Sequence, residues 1–389
     1  MGFTEKFLNK SNSYNYYKTN YEKLLKSEKK LNKENETLKE SLKDAKAELF
    51  ESEKKNESIK KCLKENEIEL IKLQKKLGSF TKPAIINKLI NNDYSDLTIA
   101  IKSPNPKIEH HWGDYFFALS LKKSFEKKGF NVIIQEKEDW YCDVDSDIDL
   151  VLRGLVEYYP DFSKINIMWN ISHPDMVTTE EMESYDICFI SSEKYSSKLS
   201  DKLDTVVRPL LQCTDPDVFH TSYNKDVSQD VLFVGITRGV YREIVKDALE
   251  TDFDVSIYGS GWEEFIDEKY IKGEFIPNDK LHEYYSSCKI LLNDHWEDMR
   301  DLDFPSNRLF DALACGAFVI SDEIPSAESL FEGNIVTYEN SEDLNNKISY
   351  YLAHEDERIQ KAKKGQEIVL NNHTFDNRVD SILNCLKEL

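Results

Sequence analysis

From about residue 95 onward the chain alternates short apolar runs with stretches of helical spacing, and it does so twice. The first series of strand-like runs is Leu97–Ile101, Asn131–Ile134, Leu150–Leu152, Asn166–Trp169 and Ile187–Ser191, with helices expected near Tyr115–Lys128 and Glu180–Ser184. The second is Val231–Val234, Val255–Tyr258, Ile290–Leu292, Ala317–Ser321 and Ile335–Tyr338, with helices near Tyr241–Leu249, Leu281–Ser287, Arg308–Ala314 and Asp343–Ala353. Strands that alternate with helices build parallel sheets covered on both faces. Two series therefore predict two doubly wound α/β units, joined by the polar stretch Thr221–Gln229. Ligands of such folds sit beyond the carboxyl ends of the strands, so the cleft between the units is the expected site.

The N-terminal part obeys a different period. Residues 20–77 are rich in Lys, Glu, Leu and Asn and contain neither Pro nor Gly. With d positions at Leu24, Leu31, Leu38, Ala45, Ser52, Ile59, Asn66 and Leu73, the a positions are Glu28, Asn35, Leu42, Leu49, Asn56, Leu63, Leu70 and Leu77. Eleven of these 16 positions are apolar and the register never breaks, which predicts an α-helical coiled coil about 80 Å long. Asn35 and Asn56 at a positions suit a parallel dimer, so a homodimer is expected. A lone solvated helix is the alternative, and it would expose its leucines. Gly78 and Pro83 end the segment.

Charge limits the partners. Residues 1–80 hold 19 Lys/Arg against 14 Asp/Glu, whereas the remaining 309 hold 32 against 58. So acidic a body is a poor partner for nucleic acid or an anionic membrane, because phosphate contact needs a basic face. A bound phosphate must meet a local basic pocket instead. The seven cysteines show no C-x-x-C spacing, which argues for buried free thiols rather than zinc or a disulfide framework. No apolar run approaches the roughly 20 residues of a transmembrane segment, and the first residues lack the apolar core of a signal peptide. A cytoplasmic chain is expected, with any attachment to the inner membrane face made through partners.

The stretch "DHWEDMRDLDFPSNRLFDALACGAFVISD", Asp294 to Asp322, breaks a local rule. Pro305 and Ser306 mark a helix start, with Ser306 as N-cap. Arg308 then falls in the first turn, where the helix dipole already places roughly half a positive charge. A bound phosphate would make that cation welcome, together with free N–H groups and Asn307. Asp311 lies one turn on, on the same face. It either pairs with Arg308 or accepts hydrogen bonds from a ribose diol. "VLFVGITRGVYRE" places Arg238 and Arg242 just past a strand and near the next helix start. "SIYGSGW" ends another strand with Gly259 and Gly261, which permit close backbone approach. Together these features predict a nucleotide diphosphate held by arginines and helix dipoles, with no metal and no further cofactor.

"NRLFDALACGAFVISD" resembles the donor-site signature of group 1 glycosyltransferases of the GT-B fold, whose familiar form is Glu-Ala-Met-Ala-Cys-Gly before an apolar strand. The resemblance extends through "LLNDHWEDMR", "GEFIPNDKLHEYYSSCKILL" and "VLFVGITRG", and in the first half through "HWGDYFFALSLKKSFEKKGF", "NIMWNISHPD" and "LLQCTDPDVF". It covers roughly residues 95–385. It implies two Rossmann-like domains facing a cleft: an N-terminal acceptor domain at 81–225 and a C-terminal nucleotide-sugar donor domain at 226–389, preceded by the coiled coil at 1–80. It implies that Asp311 stands at the second acidic position of E-x7-E and binds the ribose, with Asp303 at the first. By the same resemblance Arg238 and Arg308 are phosphate-binding positions. Pro277–Asn278 is the loop that reads the base, and His295 ends a strand facing the cleft, able to donate to a phosphate or sugar oxygen.

The acceptor side needs a base. In "IEHHWGDYFFA", Asp114 lies at an expected N-cap with His111 just before it, and "ISHPD" brings His173 and Asp175 to a strand end. A carboxylate or imidazole can take the acceptor proton, so Asp114, then His111, then His173 are the candidates. An Asp that only caps the helix is the alternative. Retention or inversion is left open. The expected activity is sugar transfer from a nucleotide-diphosphate donor to a hydroxyl of a glycan or glycoconjugate, in cell-surface polysaccharide synthesis. Three rivals stand: a metal-dependent GT-A enzyme using Asp143, Asp145, Asp147 and Asp149, a nucleotide-sugar epimerase, and an inactive coiled-coil scaffold.

Overall fold

A computed structural model describes residues 3–107, 112–250 and 253–389. It comprises two compact units, Met1–Glu69 and Leu70–Leu389. Helix α1, Phe3–Gly78, makes up the first and runs into the second. Along the heptad seam, Leu38, Leu49, Ile59, Leu63, Leu70 and Leu73 are 55–66 % exposed. The helix is therefore present with these seam residues facing solvent. Its last turns are fixed by Lys72, which donates to Asp204 at 2.5 Å, and by Lys75, which donates to the Tyr185 carbonyl. Gly78 ends it against Phe162, whose carbonyl oxygen would lie 1.9 Å from any Cβ at that position.

The second unit holds two six-stranded sheets, both wholly parallel. The first contains β1 (Thr98–Lys102), β2 (Asn131–Gln135), β3 (Ile148–Arg153), β4 (Ile165–Asn170), β5 (Ile187–Ile190) and β6 (Val206–Pro209), in the order β2-β1-β3-β4-β5-β6. The second contains β7 (Gln229–Val234), β8 (Val255–Tyr258), β9 (Ile271–Gly273), β10 (Cys288–Asn293), β11 (Val319–Asp322) and β12 (Val336–Tyr338), in the order β12-β11-β10-β7-β8-β9. β3, β4 and β5 are buried at every residue. That is the cost-free reading of continuous apolar runs in a sheet covered on both faces. The edge strands β6 and β9 escape such a reading, because they are short, partly exposed and polar.

Helices α2 (Lys82–Ile90), α3 (Gly113–Lys128), α4 (Thr179–Glu183), α5 (Glu193–Ser200), α6 (Glu243–Ala248), α7 (Asn278–Ser287), α8 (Glu297–Asp301), α9 (Asn307–Ala314), α10 (Ala327–Leu330), α11 (Ser341–Ala353), α12 (Glu355–Asn372) and α13 (Phe375–Leu386) complete the chain. One of them departs from a division at residue 226. Phe375, Val379, Ile382, Leu383 and Leu386 of α13 lie in the core of the first sheet with Phe117, Leu121 and Phe125 of α3. The crossing is held where the Thr214 N–H donates to the His373 carbonyl and the Thr214 carbonyl accepts the Phe375 N–H. The apolar face of α13 is thus buried against the first half, although its sequence follows the second.

In each sheet the order reverses once. The first reverses between β1 and β3, and the second between β7 and β10. The crevice at such a switch point is where doubly wound sheets bind ligands. No described helix is long and apolar enough to cross a membrane. All seven cysteines are free; Cys188, Cys213 and Cys315 are buried, and Cys62 and Cys142 are exposed.

Candidate functional site

The β7–β10 switch point is built from two segments. After β7 the chain turns at Gly235. A Cβ there would lie 2.8 Å from Arg242 Nη1 and 3.1 Å from Arg308 Nη2, so bare backbone lets two guanidiniums approach the strand end. Arg238 follows in a left-handed conformation, φ 61°. It is half-buried and pairs with no carboxylate among the described residues. Burial, with Arg242 and Arg308 nearby, lowers its pKa to about 9. At neutral pH it is still a cation.

In the run from Asn293, which ends β10, to Trp296, three residues meet an arginine: Asn293, Asp294 and Trp296. Asn293 Oδ1 accepts from Arg308 Nη1 at 2.9 Å and from the Ser306 hydroxyl at 3.0 Å. Asp294 takes both Nε and Nη2 of Arg242. His295 Nδ1 meets Asp322 at 2.6 Å, while its Nε2 accepts the Ser306 backbone N–H at 3.0 Å. Trp296 lies under the Arg238 guanidinium, 4.1 Å from the ring centroid.

Three expectations change here. Arg242 is no phosphate ligand: it is buried, paired with Asp294, and its Nη1 donates to the Ile236 carbonyl. His295 cannot donate to a donor oxygen: its Nε2 receives a backbone N–H and so carries no proton, and its Nδ1 proton goes to Asp322. Ser306 stands at the N-cap of α9, but its hydroxyl turns to Asn293 and makes no capping bond. Gly259 also differs from the ligand-approach reading. A Cβ there would meet the Gly235 carbonyl oxygen at 2.1 Å, so the glycine admits the neighbouring strand's exit.

Arg308 lies in the first turn of α9, and Asp311 one turn on. They do not pair. Asp311 Oδ1 accepts from Thr214 at 2.8 Å and Oδ2 from Asn307 Nδ2 at 2.7 Å. Burial pushes the Asp311 carboxyl up to about 8, against the pull of those two donors. A carboxyl that keeps its proton near neutrality can both give and take a hydrogen bond, as a vicinal diol requires. Asn278, Asn307, Arg308 and Asp311 line one cavity of about 440 Å³, closed on the other side by Gly113, Phe116 and Phe117 of α3. Asn278 opens α7 directly after Pro277. A second cavity, of about 420 Å³, contains Arg238 and Trp296.

On the first half, Asp114 is in the first turn of α3, two residues past the N-cap Trp112, and so does not cap the helix. Burial pushes its carboxyl up to about 6. His111 lies outside the described residues. His173 follows β4 in a left-handed conformation, φ 49°. Burial, aided by Arg238 and Arg153, lowers its pKa, while Asp175 opposes the shift. Its ring lies 5.1 Å from that of Trp296. His173, Asp175 and Asp298 each bring one ligand-type atom within 4.8 Å of the others. Burial and then the Asp175 carboxyl push Asp298 up to about 6. In the Asp143–Asp149 run, Asp143 and Asp145 are exposed, whereas Asp147 and Asp149 are engaged by the fold. Asp149 is buried in β3, accepting from Ser146 and Tyr158, and Asp147 accepts the Thr98 N–H.

Known proteins share this fold. Residues 238–384 match a family model described as glycosyl transferase-like. Sucrose-phosphate synthase from Thermosynechococcus elongatus superposes with a TM-score of 0.57 at 13 % identity, covering 75 % of this chain and 98 % of that one. The fold is GT-B, and residues 238–384 are similar to the glycosyl transferase-like family. An alpha-glucosyltransferase solved with UDP and a 13-mer DNA gives a TM-score of 0.55 at 11 % identity, over 75 % of this chain and 99 % of that one. AviGT4, a glycosyltransferase involved in avilamycin A biosynthesis, gives 0.51 at 15 % identity, over 75 % and 98 %. The spore protein CgeB of Bacillus subtilis (strain 168) is 24 % identical over 164 residues, 38 % of this chain and 50 % of that protein. The chain thus spans about half the length of the curated relative it matches.

One GT-B expectation fails on geometry. Asp303, at the first acidic position, adopts φ 64° and is buried; its Oδ1 accepts the N–H of Ser326 at 2.9 Å and the Ser326 hydroxyl at 2.7 Å. It therefore anchors the start of α10. Sequence reasoning also passed over Asn293, Asp294 and Trp296. The available signal was their position: Asn293 ends an apolar strand and Asp294 and Trp296 follow it, at the carboxyl edge of the sheet.

Proposed function

We propose that this GT-B chain transfers a sugar from a nucleotide-diphosphate donor to a hydroxyl of a glycan or glycoconjugate. The observation that carries the reading is Arg308 in the first turn of α9, unpaired with any carboxylate among the described residues, in one cavity with Asn278, Asn307 and Asp311. Arg308, Arg238 and the α9 N-terminus favour the diphosphate, Asp311 and Asn307 the ribose, and Asn278 the base. As the glycosidic bond breaks, the diphosphate gains negative charge. Fixed cations therefore stabilise the transition state more than the ground state. Two unpaired arginines supply that charge without a metal. The test is a hydrolysis and transfer screen over common nucleotide sugars, with and without EDTA. Turnover that persists in EDTA supports the reading. Epimerised donor would favour an epimerase, and loss in EDTA would move the charge to a metal at His173, Asp175 and Asp298.

Asp114 is the proposed base, with His173 behind it. A carboxyl raised to about 6 is ionised above that pH and protonated below it. So kcat/KM should fall as pH drops through about 6, rather than near the ordinary value of about 4. Asp114→Asn should cost about 10²–10⁴ in kcat and remove that acid limb. A variant that keeps both rate and limb would shift the role to His173.

The exposed leucines of α1 support a parallel homodimer through the heptad seam. Sedimentation of the full chain at micromolar concentration should give a dimer, and a chain lacking residues 1–69 a monomer. A full-length monomer would remove the claim.

A further inference from the structure

The inference rests on the glycosyltransferase reading and concerns a residue that it does not assign. We infer that Trp296 is a positioning residue: its ring face sets the Arg238 guanidinium to receive the leaving diphosphate. Three observations carry this.

Among the described residues, Arg238 is the cation at the switch point with no hydrogen-bond or carboxylate partner to fix it. Arg242 has Asp294, and Arg308 has Asn293. Arg238 has the indole face, at 4.1 Å. Its backbone is also left-handed, a conformation that a non-glycine residue keeps only when its surroundings hold it.

Trp296 itself is fixed. The preceding His295 is bound on both ring nitrogens, and its backbone N–H donates to Asp322 at 3.0 Å. Trp296 then forms the N-cap of α8. A ring on so rigid a stem is a platform, yet it is 37 % exposed. A residue that served packing alone would gain by burying it.

The same ring also meets His173 of the first half, at 5.1 Å and 59°. One side chain therefore touches the diphosphate cation of one half and the reserve base of the other. A cation–π contact of this kind corresponds to roughly a 2- to 30-fold effect. It keeps Arg238 aimed at the cleft without neutralising it, which a carboxylate partner would do.

The test compares Trp296→Leu with Trp296→Phe. Leu keeps apolar volume without a π face, and Phe keeps the face. Calorimetry with ADP, CDP, GDP, TDP and UDP reads nucleotide affinity, and donor hydrolysis reads kcat and KM. Trp296→Leu should weaken binding of the preferred diphosphate and lower kcat about tenfold, with a smaller change in KM for the sugar nucleotide. Trp296→Phe should stay within about threefold of the parent. In an Arg238→Ala background, Trp296→Leu should have no further effect. Equal behaviour of Leu and Phe, or an undiminished loss without Arg238, overturns the inference while leaving the glycosyltransferase reading intact. A parent chain that binds none of the five diphosphates overturns both.

Discussion

Replacing Asp294 by Ala should lower the stability of the folded chain by about 3–5 kcal/mol. Asp294 and Arg242 are both buried, and the carboxylate takes two of the guanidinium's donors. Removing the carboxylate strands a cation beneath Phe233, whose ring centroid is 4.6 Å away. Burial already lowers the Arg242 pKa, and Asp294 is what opposes that shift. An uncompensated buried charge costs far more than the pair contributes, so the double replacement Asp294→Leu with Arg242→Met should recover most of the loss. Urea denaturation measures both. A loss below about 1 kcal/mol in Asp294→Ala would mean that Arg242 is not braced. It would then return to the list of phosphate ligands.

This prediction also marks where one sequence stops being legible. The interior strands β3, β4 and β5 announce themselves through the apolar residues at their centres, such as Leu150–Leu152 and Ile167–Trp169, all of them buried. Arg308 is legible as well, since a cation in a helix's first turn contradicts the dipole and asks for an anion. Arg242 raises the same question and receives a different answer. Its anion is Asp294, 52 residues away and supplied by the next strand of the switch point. His295 and Asp303 follow the same pattern. Each has the right type and place for a ligand group, and each is claimed by a partner from a neighbouring element: Asp322 and Ser306 for one, Ser326 for the other. Periodicity and capping rules concern neighbours in sequence, whereas these pairings are made by sheet order. Trp296 shows the converse. Nothing near it in sequence distinguishes it, and it matters because sheet order brings Arg238 over its face.

Arg308→Ala should weaken nucleoside diphosphate binding by about 1.5–3 kcal/mol, the range for a hydrogen-bond partner of a charged group. That is roughly a 10- to 150-fold rise in Kd. Arg308 Nη1 donates to Asn293, an uncharged partner, so the cation is oriented without being neutralised. Its loss leaves Asn293 with the Ser306 hydroxyl still donating to it, and the fold should hold. This separates the two arginines experimentally: Arg242 should govern stability, and Arg308 affinity. Arg308→Lys should fall between parent and Ala, because an ammonium keeps the charge and loses the fork that matches a phosphate. Isothermal titration with the preferred diphosphate reads all three. Unchanged affinity in Arg308→Ala would sink the phosphate site, and with it the explanation for a cation at the start of α9.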